Sequence, residues 1–142
     1  MTRILMPVAM AFVMLLGACG KKVEPVSAAA GIEGQWLVVS NKTAAGVLIP
    51  VNESASTIYE FRADKTYSFK SVAANAVATE GTYKLEGTSL VLTVNGSDSS
   101  LELVSVDAST LDIKFLSGLF SGLDQIMSRK TAEEITAISA KY

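Results

Sequence analysis

Histidine does not occur in this chain of 142 residues, and cysteine occurs once, at position 19. The first absence removes the commonest general base and the imidazole metal ligands; the second leaves no partner for an intramolecular disulfide and no thiolate cluster for zinc. Ser/His and Cys/His nucleophilic pairings go with them. Carboxylate-only chemistry survives, but the 14 acidic residues are scattered singly, and Glu133-Glu134 sit where helix-start charges belong. No spacing among them suggests a calcium loop or a hydrolase pair. Cations are scarce too, 12 against those 14 acids, without the basic stripe that nucleic-acid binding calls for. An enzyme, a cofactor and a nucleic-acid partner are all unexpected.

A long apolar run is also missing. Ile4 to Leu16 is about thirteen residues, short of the roughly 20 that a helix needs to span a bilayer. With Arg3 before it and Gly17-Ala18 after it, Met1 to Ala18 has the three parts of a cleavable secretory signal. The competing reading is a permanent N-terminal anchor. Leu16-Gly17-Ala18-Cys19 resembles the lipobox of bacterial lipoproteins, in which the cysteine receives diacylglycerol, the signal is cut before it, and the new N-terminus gains another acyl chain such as palmitate. That resemblance implies lipidation at Cys19, which would also account for a lone thiol in an exported protein. Gly20 stands where the family's inner-membrane retention signal is Asp, so the expected location is the periplasmic face of the outer membrane. Two or more acyl chains hold a protein on a bilayer stably where one does not. Loss of Arg3 leaves 11 cations, so the mature chain of 124 residues has a net charge near −3. It is long enough for one domain.

Residues 19–33 have little to bury and read as a lipidated cysteine and flexible tether, reaching roughly 20 Å as a coil. From Gly34 the pattern becomes short runs of β-formers between turn residues. Nine strands are expected: Gly34 to Ser40, Gly46 to Val51, Thr57 to Arg62, Thr66 to Val72, Thr79 to Glu86, Ser89 to Val94, Ser100 to Val106, Thr110 to Leu116 and Leu123 to Ser128. Tyr67/Phe69, Tyr83/Leu85 and Leu111/Ile113/Phe115 alternate with polar neighbours, the period of a strand with one buried face. Ala63-Asp64-Lys65, Glu86-Gly87-Thr88 and Asn95-Gly96 are hairpin turns. A long run of up-and-down strands tends to close on itself, which removes the unpaired edges. After Lys130 the period changes. Thr131 and Glu134 fit a capping box, and Ile135 and Ile138 share a helical face with Ala132, so one short helix should lie on the outside of the β-structure.

Three stretches resemble the bacterial lipocalin-like lipoproteins. Gly34-Gln35-Trp36 is similar to the family's opening G-x-W. Phe61 with Ala63-Asp64-Lys65-Thr66-Tyr67 is similar to F-x-x-D-G-T-Y, with Lys65 in place of the usual glycine. Gly81-Thr82-Tyr83-Lys84-Leu85 leading to Leu90-Val91-Leu92 is similar to G-x-Y-x-L-x-G-x-x-L-x-L. The resemblance covers Gly34 to Lys130 and implies an all-β, antiparallel, up-and-down barrel of 8 to 9 strands with a short C-terminal helix, a domain of residues 34–142. In lipocalins the motif tryptophan lies at the closed end beneath an arginine of the last strand. Trp36 and Arg129 stand in the matching places and are read as structural.

Two functional readings follow. In the favoured one the barrel is filled by its own large inward residues, and a monomeric, non-enzymatic domain serves the cell envelope as a structural or interaction module, meeting the membrane through its lipid and an envelope protein through its surface. In the other, the barrel mouth binds or carries a small apolar ligand, with Tyr67, Phe69, Tyr83, Leu119 and Phe120 as the candidate contacts. The run Phe115 to Leu123 interleaves large apolar groups with Ser-Gly pairs. It is either a lid over the mouth or, slightly preferred, a bulged crossover tucked into the core. Val72 to Ala78 either lines the same mouth or is a plain loop.

Overall fold

Alternation along the strands decides which side chains meet. In the computed structural model, which describes residues 31–73 and 75–142, Leu111, Ile113 and Phe115 are buried while the intervening Lys114 is exposed. The same rule applied from strand to strand gathers Trp36, Tyr59, Phe61, Tyr67, Leu92 and Met127 with these residues into one interior cluster. The strands are β1 (Gly34–Lys42), β2 (Leu48–Pro50), β3 (Thr57–Phe61), β4 (Thr66–Ser71), β5 (Thr79–Glu86), β6 (Ser89–Val94), β7 (Ser97–Val106), β8 (Thr110–Phe115) and β9 (Asp124–Lys130).

Each strand from β3 to β9 pairs antiparallel with the next. β1 pairs β3 along one edge and β9 along the other, so eight strands close into an up-and-down barrel. Register shifts in β1 between Val38 and Ser40, and between Leu103 and Ser105 of β7, supply the bulges that bend such a sheet. β2 is the ninth strand and stands outside the barrel. The expected strand from Gly46 to Val51 shrinks to three exposed residues. The reason lies in β1, whose pairing with β3 stops at Leu37. The leftover edge at Ser40 to Lys42 is met by the chain doubling back as β2, and one further bond, from the Val51 N–H to the Val39 carbonyl at 2.9 Å, holds the far side of Pro50 to β1.

The hairpins follow local chemistry. Val94 pairs directly with Ser97, and the two residues between, Asn95 (φ 50) and Gly96 (φ 76), take the left-handed conformations of a type I′ turn. In the β3–β4 turn Lys65 adopts φ 68 despite its side chain. Asp64 compensates, its carboxylate accepting from the Thr66 N–H at 2.9 Å and from the Thr66 hydroxyl at 2.6 Å. Those bonds also hold the Asp64 carboxyl below the usual carboxylate range.

Helix α1 (Ala132–Ser139) starts on the expected capping box, Thr131 with Glu134. Ile135 and Ile138 pack on Leu37, Ile58 and Val72, which face outward from the barrel. Ala132, expected on the same face, is exposed. A helix of eight residues is marginal alone, so this outer apolar cluster is what fixes it.

Candidate functional site

The barrel has two unlike ends. The β3–β4, β5–β6 and β7–β8 turns share one end with residues 31–33, and the β1–β3, β4–β5, β6–β7 and β8–β9 connections share the other.

The first end is closed. Trp36 is 0% exposed, and the Arg129 guanidinium carbon lies 4.2 Å from the centre of its ring. The indole N–H donates to the Ile32 carbonyl at 2.8 Å, and Arg129 donates to the Glu33 carbonyl at 2.6 Å and to the Gly31 carbonyl. Ile32, placed by its sequence context in the tether, is instead fully buried in this plug. Gly34 is required for it: its φ is +129, and a Cβ there would lie 2.6 Å from the Arg129 Nη1. The lysine that replaces the motif glycine also serves this end, since Lys65 Nζ lies 5.3 Å from the Tyr83 ring centre and 3.8 Å from the Glu33 carboxylate.

Above the plug the lumen narrows on an aromatic column. Phe61 meets Tyr83 edge-on at 5.3 Å, and Tyr67 stacks on Phe61 at 5.8 Å. Tyr67 is followed by Phe69 at 6.2 Å, and Phe69 by Tyr59 at 5.8 Å. Gly81 makes the room for this arrangement. A Cβ on it would come 2.7 Å from the Tyr67 ring and 2.4 Å from the Thr93 carbonyl, so the glycine of the G-x-Y stretch is a notch into which the Tyr67 ring lies.

The other end is open. A cavity of about 270 Å³ is lined by Tyr59, Tyr67, Phe69, Leu92, Val94, Ser97, Ser99, Phe115, Leu119 and Phe120. The expectation of a filled lumen therefore holds for the lower half only. Eight strands give an interior at the limit between packed side chains and one small ligand, and the Ser97 and Ser99 side chains, inward by their register with Val94 and Leu92, are too small to fill the upper half. The Phe115–Leu123 run forms the rim. Phe120 packs edge-on against Phe115 at 5.5 Å, whereas Leu119 is 99% exposed, so the segment is not tucked into the core. Its backbone is closed by the Gly122 N–H on the Phe115 carbonyl (2.8 Å) and the Leu123 N–H on the Phe120 carbonyl (2.9 Å).

Four of the five candidate contacts, Tyr67, Phe69, Leu119 and Phe120, border this cavity, and the fifth does not. Tyr83 belongs to the closed end, where its hydroxyl donates to the Arg62 carbonyl at 2.8 Å. Of the Val72–Ala78 stretch, Val72 is buried beneath α1 and Val77 is 90% exposed, and neither lines the cavity. Sequence reasoning did not single out Tyr59, Val94, Ser97 or Ser99. Cys19 lies outside the described residues.

The chain's match to known proteins agrees with this geometry. The family model for the lipocalin-like domain matches residues 32–113, more than half of the chain. The chain belongs to the lipocalin-like domain family. Among solved structures it resembles a lipocalin-like protein of Bacteroides uniformis, at 15% identity and a TM-score of 0.55, covering 69% of this chain and 97% of that one. An uncharacterized protein of Bacteroides eggerthii matches at 9% identity with the same TM-score, covering 69% and 98%. At such identities the likeness speaks for the lipocalin-like fold alone. No curated protein matches the chain.

The electrostatics of this lipocalin-like cavity are those of a neutral space. No lining residue carries a charge. Burial pushes the Tyr67 hydroxyl up to about 12 and raises Tyr59 still further. The ion pair of Lys42 with Asp112, at 2.8 Å, lies on the outer face of the barrel, where the bulge in β1 has turned Lys42 outward.

Proposed function

We propose that this domain is a non-catalytic binding module for a small apolar ligand, held at the cell envelope by a lipid on Cys19. One observation carries the ligand reading: an uncharged, aromatic-walled cavity of about 270 Å³ continuous with an apolar rim. Ligand sites are concave, mostly apolar and largely pre-formed. An exposed leucine beside a half-exposed phenylalanine at such a mouth is the pattern of a surface that meets something apolar. Native mass spectrometry of the protein purified from its own host is expected to show a co-purifying hydrophobic mass that disappears in Phe120→Asp. A clean apo mass in the wild type, together with no uptake of an environment-sensitive hydrophobic probe, removes this reading.

The anchoring reading rests on the lipobox-like Leu16-Gly17-Ala18-Cys19. Gly31 enters at the closed end of the barrel, beneath Arg129, so a lipid at Cys19 would tether the domain there and leave the mouth free. Mass analysis of the N-terminal peptide should find Cys19 acylated, with the full leader retained after globomycin treatment. An unmodified Cys19 peptide from untreated cells counts against it. The interaction-module reading has its own observation in β2, where Leu48 and Ile49 are 54% and 51% exposed.

A further inference from the structure

The Tyr67 side chain is unlike the other polar groups of the lumen. Tyr67 is 2% exposed, yet among the described residues its hydroxyl has no hydrogen-bond partner. Its neighbours are paired: Tyr83 donates to the Arg62 carbonyl, and Tyr59 reaches the Gln125 side-chain oxygen at 3.5 Å. Among the described residues the Tyr67 oxygen is also not one of the fully sealed, partnerless polar atoms, which are Gln35 Oε1, Asn41 Oδ1, Asp112 Oδ1 and Arg129 Nε in the barrel and Ser139 Oγ in α1. It therefore meets open space, and the open space that Tyr67 borders is the cavity. Its position is imposed from behind, because the ring edge lies in the notch left by Gly81 and stacks between Phe61 and Phe69. A phenol held this way is an oriented donor with nothing to donate to, and a buried donor left unmet costs about as much as a lost hydrogen bond.

We propose that Tyr67 is the specificity-determining residue of the cavity and that its ligand is a small uncharged molecule, apolar apart from one hydrogen-bond acceptor such as a ketone, ester or amide carbonyl. This rests on the ligand-binding reading above and narrows it. A carboxylate is excluded because no cation lines the cavity to meet it, and an unpaired charge in such a space is far more costly than a neutral carbonyl. A pure hydrocarbon would leave the phenol unmet. Size sets the other limit. An apolar cavity of about 150 Å³ admits benzene, so about 270 Å³ suits a ligand of about ten heavy atoms rather than a long acyl chain. Ser97 and Ser99 lie towards the rim, where water can reach their hydroxyls, which leaves Tyr67 as the polar contact at depth.

Three probes of nearly one size, ten or eleven heavy atoms, separate the possibilities: nonan-2-one, its carbon isostere 2-methyl-1-nonene, and nonanoate. Isothermal titration of the wild type and Tyr67→Phe, with thermal melts of both, reads the outcome. The expected result is that the ketone binds the wild type best, nonanoate binds about a hundredfold more weakly or not at all, and Tyr67→Phe weakens the ketone about five- to tenfold while leaving the alkene unchanged. The variant should melt no lower than the wild type, because the hydroxyl it loses has no protein partner; a purely structural role would lower the melt and weaken all probes alike. Equal binding of ketone and alkene in both proteins, or nonanoate binding as tightly as the ketone, overturns the proposal while leaving a ligand-binding barrel in place. Failure of all three probes, the alkene included, overturns both.

Discussion

Trp36 and Arg129 pair across β1 and β9, and neither fills its role without the other. Guanidinium over indole contributes on the order of 0.5 to 2 kcal/mol, but the larger effect is volume: Trp36→Ala should cost roughly 3 to 5 kcal/mol by leaving a cavity in the plug. Arg129→Ala loses the stack and also frees the carbonyls of Gly31 and Glu33. Because the two variants remove one shared contact, their costs should sum to more than that of the double variant. Denaturant unfolding of all four proteins checks this, and strict additivity would dissolve the pair. At this scale the sequence was legible where a motif supplied the partner, as with Gly34, Trp36 and Arg129. Tyr83 was misplaced for a physical reason: alternation tells whether a side chain points inward, but not how far along the barrel axis it lies.

Elements were easier to read than residues because strands and turns are written in local chemistry. Of two exceptions, one was set non-locally. β2 reads as an ordinary strand, and only the register of β3 on β1, which leaves Ser40 to Lys42 uncovered, puts it outside the barrel. The start of β7 was expected at Ser100 and falls at Ser97, because serines and an aspartate do not announce a strand. The signal was present in Asn95-Gly96, since a two-residue type I′ turn obliges pairing to begin with the next residue. Those three missed positions include Ser97 and Ser99 of the cavity wall. Within β5, Gly81→Ala should destabilise the barrel by about 1 to 3 kcal/mol through overpacking and shrink the cavity by driving the Tyr67 ring into it. The melt and the ketone affinity should fall together, and an unaffected melt would show that the notch is not needed.

At the scale of the whole molecule, a neutral interior has a consequence for alkaline stability. Tyr67 is raised by burial to about 12, against an ordinary tyrosine value of about 10. Below pH 10 both folded and unfolded chains hold the proton, and the full stability is present. Between about 10 and 12 the unfolded chain releases it first, so stability must fall as pH rises through that window. Chemical denaturation across pH 9 to 12, with tyrosinate absorbance followed alongside, should show unfolding that precedes ionisation of Tyr67 in the folded state. A flat profile to pH 12 would contradict the burial of that phenol.

Closure of the barrel by β1 on β9 has one more implication, for the order of events. The strand that completes the cylinder lies almost the full length of the domain from the strand it must meet. Until β9 has emerged, the growing sheet has two raw edges, and Arg129, which seals the floor, is missing. A chain of this topology acquires its final cooperativity late, after nearly all of it has been synthesised. In the export proposed above, where the chain would be threaded through a translocation pore before it folds, such tardiness would be useful: the N-terminal portion could be handed over while the barrel is still unable to shut.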